Sequence, residues 1–241
     1  MKKEKEGSIE TYRLISTLPK RDIVRLARNT CKHGHCYLAH PKCAYDEGIV
    51  VTKDGHKVLV KERIGFFDIE NFSFQFKADM GIVLSYCIKE LDGGIISNVI
   101  TPEEAKSFND KRLIQDMVRD LKKFTRVVGF YSTKFDIPFV RTRALMHKID
   151  FPIYKELYHT DLYYNVKNKF KLRSNHLSNA CKAFGIPAKY HPFEMEPWAK
   201  AMSGDKKALD YVLIHNKEDV ISTELLWKKV SIYQDLNRRS I

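Results

Sequence analysis

The chain has 241 residues, a net charge of +12 and a pI near 9.4, with 44% apolar residues that include 14 Phe and 12 Tyr. That apolar content is enough for a real core, and no uninterrupted apolar run reaches the roughly 18 residues of a membrane span. A strongly basic balance calls for a polyanionic partner, nucleic acid first among them. The opening Met1-Lys-Lys-Glu-Lys-Glu6 has no apolar segment behind it and does not read as a secretory signal, so a cytoplasmic location is expected.

Residues 1–10 are charged and expected to fray. Residues 20–29 read as a short basic helix. A cluster of Cys and His follows over 31–43, and then a hairpin over 49–60 with Asp54-Gly55 as its turn signal. Residues 1–60 are therefore expected to form a small basic appendage, and 61–241 a second domain. From residue 63 the pattern becomes regular. Strands are predicted over 63–69, 81–89 and 95–100, with Gly93-Gly94 as a turn, and their short links favour antiparallel pairing. An amphipathic helix over 110–124 aligns Leu113, Ile114, Met117, Val118, Leu121 and Phe124 on one face. A buried strand spans 126–131, a helix Phe139–His147, a short strand 158–162 and a helix 175–184. A loop rich in Pro and aromatics covers 185–198, and a last helix 205–231 comes in one piece or two. This order is similar to that of the ribonuclease H-like fold, an α/β architecture with a mixed sheet flanked by helices.

The most informative residues are two acids one apart in the first of those strands, Phe67-Asp68-Ile69-Glu70. Strand side chains alternate, so Phe67 and Ile69 face one way and Asp68 and Glu70 the other, about 6–7 Å apart along the strand. Two carboxylates on one face of an apolar strand make poor core chemistry and a good seat for divalent cations. Asp136 follows the buried strand at a strand-to-helix junction. His215 and Asp219, four apart, share one face of the last helix beside Val212, Val220, Thr223 and Trp227, a stripe that should look inward. Three distant segments thus aim four acids and an imidazole at one point. Like charges about 4 Å apart cost roughly 4 kcal/mol at a partly screened site, which cations would relieve. Mg²⁺ and Mn²⁺ favour such oxygen donors, and two ions together suit phosphodiester cleavage. An imidazole with an ordinary pKa near 6.5 suits proton removal from the attacking water.

Residues 63–230 resemble the DEDD superfamily of 3′→5′ exonucleases. Asp68-Ile69-Glu70 is similar to its Asp-x-Glu strand, and Gly129-Phe-Tyr-Ser-Thr-Lys-Phe135-Asp136 to its Gly-x-Asn-x-x-x-Phe-Asp segment. His215-Asn216-Lys-Glu-Asp219 resembles the His-Asn-x-x-Asp form of predicted exonucleases in the group. The resemblance implies that Asp68, Glu70, Asp136 and Asp219 bind two Mg²⁺ or Mn²⁺ ions and that His215 is the general base. Tyr131 stands where the family usually has Asn, and the His-to-Asp spacing of four is that of its tyrosine-type branch. Asp161 is either an auxiliary acid or, as the capping rule favours, the cap of the segment that follows it. Two rival functions stay open here. One is a structure-selective endonuclease on the same fold. The other is a nucleic-acid-binding module without turnover.

Five Cys residues, three of them crowded into 31–43, point to a reduced compartment rather than a disulfide framework. Cys87 and Cys181 read as core residues. Cys31, His33, His40 and Cys43 supply a symmetric set of zinc ligands, for which Cys36 or His35 could substitute, and a zinc staple would suit so small an appendage. The appendage is also a candidate docking element for a protein partner. Lys167, Lys169, Lys171 and Arg173 would line one side of an extended segment, ready for phosphates, or belong to an ordinary solvated helix. The aromatic loop 189–198 either stacks on a nucleobase or packs onto the core.

Overall fold

The computed structural model describes residues 11–18, 20–53, 57–60, 62–153, 156–187 and 189–233. The expected fraying of 1–10 and the Asp54-Gly55 turn lie outside them. The chain divides into two compact units, residues 1–63 and 64–241. No helix among the described residues is long and apolar enough to cross a membrane.

In the first unit, residues 11–17 are helical, followed by helix α1 (Lys20–Arg28) and helix α2 (Pro41–Asp46). Pro41 opens α2, a position where its missing N–H costs no hydrogen bond. Strands β1 (Val50–Lys53) and β2 (Lys57–Val60) pair antiparallel, with Val50 opposite Val60. Leu14, Leu18, Leu26, Tyr37 and Val50 form a small core of this unit.

The second unit is built on a five-stranded mixed sheet. Its first strands, β3 (Ile64–Ser73), β4 (Gly81–Glu90) and β5 (Ile95–Val99), form the antiparallel meander expected from their short links. Helices α3 (Pro102–Lys106) and α4 (Lys111–Leu121) lead to β6 (Arg126–Gly129), and α5 (Asp136–Met146) leads to β7 (Tyr158–Asp161). β6 lies parallel to β3 and β7 parallel to β6, giving the order β5-β4-β3-β6-β7. Helices α6 (Leu162–Lys169), α7 (Leu177–Ala183), α8 (Met195–Met202) and α9 (Lys206–Val230) complete the chain. This is the ribonuclease H-like arrangement of a mixed sheet flanked by helices.

Alternation along β3 sorts the two cores. Phe67 and Ile69 join Leu113, Ile114, Met117 and Val140 of α4 and α5. Phe66, one residue away, joins Val128, Leu162, Val220 and Trp227 in a second cluster. Helix α9 spans both. Leu209 and Val212 belong to the first cluster, with Trp198 and Ala201 of α8, whereas Val220, Leu226, Trp227 and Val230 belong to the second.

Several details differ from the sequence reading. β3 runs to Ser73 and carries a bulge between Glu70 and Asn71, so Asp68 and Glu70 sit in mid-strand rather than at its end. Residues 162–169 are helical, which rules out the extended register for Lys167 and Lys169. The stretch 185–198 is not all loop, because α8 begins at Met195, and Trp198 is buried in the core rather than offered to a base. The last helix is a single unbroken element. Cys87 and Cys181 are buried, as core residues should be.

Candidate active site

The site is assembled around β3. Asp68 and Glu70 lie opposite Cys87 and Ser85 of β4, two small side chains that leave room above the strand. Ile69, between the acids, offers its backbone N–H to Asp136 Oδ1 at 3.1 Å. Asp136 is the first residue of α5, so this one bond ties the start of that helix to the strand between the two other carboxylates. The link from β6 to α5 is tightly held. A side chain at Gly129 would collide with Ser132 and crowd the Phe67 carbonyl. Tyr131 takes a left-handed backbone, φ 63°, which Asn adopts more readily than Tyr. Asp161 holds that turn. Its Oδ1 accepts from Tyr131 N–H at 2.9 Å and its Oδ2 from Thr133 N–H at 2.8 Å, while it also caps α6 through Tyr163 N–H. Both its oxygens are thereby engaged, so Asp161 is a cap and a brace for the turn that delivers Asp136.

Helix α9 brings His215 and Asp219 to the same place, both buried and one turn apart. His215 Nε2 lies 3.0 Å from Asp219 Oδ2 and 3.5 Å from Glu70 Oε1. Ligand atoms of Glu70, His215 and Asp219 all fall within 4.8 Å of one another. On its far side, His215 Nδ1 is 2.6 Å from the His191 carbonyl, which can only accept, so that nitrogen carries its proton and Nε2 is the edge turned to the acids.

Further side chains shape the site, and the sequence reading assigned none of them to it. Lys189 forms an ion pair with Asp219 Oδ1. Glu218 accepts from both the backbone N–H and the ring Nδ1 of His191, and Tyr211 OH donates to the Pro192 carbonyl, so residues 189–192 are strapped along α9. Trp198 stands at right angles to the His215 ring, with centroids 5.1 Å apart, and lies close enough to Glu70 to offset a little of the rise that burial gives its carboxyl. No spacing rule links Lys189 to Asp219 across 30 residues. Trp198 was visible only as one member of an aromatic run.

Electrostatics set this cluster apart from ordinary capping acids. Burial, then the charges of Asp136, Asp219 and Glu70, push the Asp68 carboxyl well above its usual range. Burial and then Asp219 do the same to Glu70. Asp136 is raised to about 7, chiefly by burial, against the pull of the Ile69 N–H. Burial alone would raise Asp219 too. The His215 hydrogen bond and the Lys189 charge outweigh it and hold that carboxyl below the usual range. The acids therefore crowd negative charge into a place with too little positive charge to balance it. An oxygen-rich set with surplus negative charge fits hard divalent cations such as Mg²⁺ or Mn²⁺, and Asp68, Glu70, Asp136 and Asp219 would hold them. Beside the cluster opens a cleft of about 910 Å³ lined by Arg173, Lys182, Lys189 and His215 among others. The candidate zinc ligands Cys31, His33, His40 and Cys43 also come together, in the 1–63 unit.

A mixed sheet of this order, with carboxylates converging on its central strand, defines a ribonuclease H-like protein with an acidic centre. The family model for the RNase H superfamily matches residues 65–231, and the chain belongs to that superfamily. Membership supports a nuclease. Among solved structures, the chain is similar to the family B DNA polymerase of the hyperthermophilic archaeon Pyrobaculum calidifontis. The match has a TM-score of 0.57 and 19% identity and covers 73% of this chain. It spans 26% of the polymerase chain, so the likeness is one of fold. No curated protein matches the sequence.

Proposed function

We propose that the chain is a metal-dependent 3′→5′ exonuclease that hydrolyses terminal phosphodiester bonds of DNA or RNA. One observation carries the reading. Asp136 is clipped to the amide between Asp68 and Glu70, and Glu70 is in turn within reach of His215 and Asp219. Three segments far apart in sequence thus place four acids and one imidazole together, in a protein of net charge +12. When bound, divalent ions supply Lewis acidity for attack at phosphorus and for charge on the departing oxygen.

The protein's own groups do the rest. With the Asp219 carboxylate turned to a bound cation, His215 Nε2 would be free to accept a proton from the attacking water, while the His191 carbonyl keeps Nδ1 protonated and the ring in place. The water oxygen bonds to phosphorus, the bond from phosphorus to the 3′ oxygen of the preceding nucleotide breaks, and that oxygen takes a proton. A nucleoside 5′-monophosphate leaves. Arg173 and Lys182 on the cleft wall would attract the phosphates of the strand behind the terminal residue. Trp198 packs at right angles against the imidazole and so limits how the ring can tilt.

Purified protein should shorten a 5′-labelled oligonucleotide in a ladder when Mg²⁺ or Mn²⁺ is present, and the ladder should vanish on Asp68→Ala. Cleavage of a closed circular substrate would replace exonuclease by endonuclease action. Retained binding without turnover in either metal would reduce the protein to a binding module.

A further inference from the structure

The first unit holds a second constellation that the nuclease reading does not use. The cluster begins with a turn. Gly34 N–H donates to the Cys31 carbonyl at 2.9 Å, and Cys31 N–H donates to the His35 carbonyl at 2.8 Å. Gly34 has φ +81°, a conformation that glycine takes without strain. Thiolate sulfur and imidazole nitrogen, the atoms this turn gathers, are ligands that zinc favours. The second half of the cluster comes from the start of α2. His40 is its N-cap residue and Cys43 lies within its first turn, so both side chains project from one end of the helix.

The distances select the ligands. Cys43 Sγ lies 3.5 Å from His33 Nδ1 and 3.9 Å from His40 Nδ1, and Cys31 Sγ lies 3.8 Å from His33 Nδ1. Ligand atoms of all four residues fall within 4.8 Å of one another. Bond lengths of about 2.3 Å to sulfur and 2.0 Å to nitrogen put a tetrahedron's sulfur-to-nitrogen edge at about 3.5 Å. The observed separations are close to that edge. The remaining candidates have other partners. Cys36 Sγ accepts from Ala39 N–H at 3.4 Å, and the His35 ring stacks on His40 with centroids 4.1 Å apart.

We propose that Cys31 Sγ, His33 Nδ1, His40 Nδ1 and Cys43 Sγ bind one structural zinc ion in a closed tetrahedral site that holds the first unit folded. Four protein ligands leave no open position, so the ion staples and does not catalyse. The staple joins the turn at 31–35 to the N-terminus of α2. It does so where the surrounding core is small, and small units commonly need such help. Cys36 and His35 shield the site without ligating. The inference stands independently of the nuclease reading.

The test uses the full-length protein produced with zinc in the medium. Elemental analysis should find one zinc per chain. Cys43→Ser should lower that to less than about a tenth, and Cys36→Ser should leave it unchanged. Replacement by Co²⁺ should give the visible bands of a tetrahedral site with two sulfur ligands, a readout that does not depend on the fold of any variant. Asp68→Ala should keep its zinc, which separates this site from the acidic one. Wild-type protein that takes up no zinc under reducing conditions overturns the proposal. So does zinc lost on Cys36→Ser and kept on Cys43→Ser, or a cobalt spectrum of octahedral type.

Discussion

Replacing Asp136 with Asn separates what this side chain does for the fold from what it does for the reaction. The amide oxygen of asparagine can still accept from Ile69 N–H, so the clip between α5 and β3 survives. What disappears is the charge. Asp136 is 4% exposed, and its carboxyl is raised from 3.8 to about 7, first by burial. An unfolded aspartate ionises near 3.9, so between about pH 4 and 7 the folded protein holds a proton that the unfolded chain releases. The stability tied to this group is intact below about pH 4. It is lost as the pH rises to about 7, at about 1.4 kcal/mol per unit. Three units amount to about 4 kcal/mol by pH 8. Asp136→Asn should therefore stabilise metal-free protein by up to about 4 kcal/mol at pH 8, by about 1–2 kcal/mol at pH 5, and by nothing below about pH 4. Urea unfolding of both proteins in EDTA at these pH values measures the difference, and oligonucleotide cleavage in Mg²⁺ should show the variant inactive. A gain that does not change with pH, or a variant less stable than wild type at pH 8, would refute the claim that the site stores unbalanced charge.

Two other predictions concern charge as well. Asp110 is fully buried and receives Arg143 Nη2 at 2.6 Å, His147 Nε2 at 2.6 Å and Val83 N–H at 2.8 Å. Arg143→Ala strands a buried carboxylate and should cost about 3 kcal/mol, or roughly 6–12 °C in melting temperature, since two partners remain. Lys200→Ala, which breaks the exposed pair with Glu196, should move the melting temperature by no more than about 2 °C. Equal losses in a thermal scan would contradict the difference in burial. Lys189→Met removes the ammonium that competes with a bound cation for Asp219. Mn²⁺ affinity measured by calorimetry should rise roughly fivefold, worth about 1 kcal/mol for a partly exposed pair. Weaker Mn²⁺ binding would mean that the lysine supports the site instead of occupying it.

Much of the architecture was readable because it is written in local pattern. The alternation Phe67-Asp68-Ile69-Glu70 gives both the strand and its two faces, and the stripe Val212, Val220, Thr223 and Trp227 gives the inward side of α9. The details that escaped have particular physical causes. Helix α3 was missed although Thr101 and Glu104 form a capping box that its sequence displays. Helix α8 was hidden because Pro197 reads as a breaker, yet in a helix's first turn its missing N–H costs no intrahelical bond. The extension of β3 past its bulge has polar residues, Asn71 and Ser73, and so carries no apolar alternation. Candidate site residues within one element could be grouped from spacing alone. Lys189 and Trp198, which approach the acids from the strap and from α8, depend on how distant segments pack, and no local pattern reports that.

Helix α9 has a consequence for motion. It runs unbroken for 25 residues, is anchored in one hydrophobic cluster before His215 and in the other after Asp219, and carries both residues between those anchors. A rod clamped at each end cannot swing its middle aside. Amide protons near these two residues should then exchange only when the whole unit opens, at the slowest rate in the protein. The strap at 189–192 is held to the rod by a few polar contacts instead of a hydrophobic cluster, so its amides should exchange faster than those of the rod.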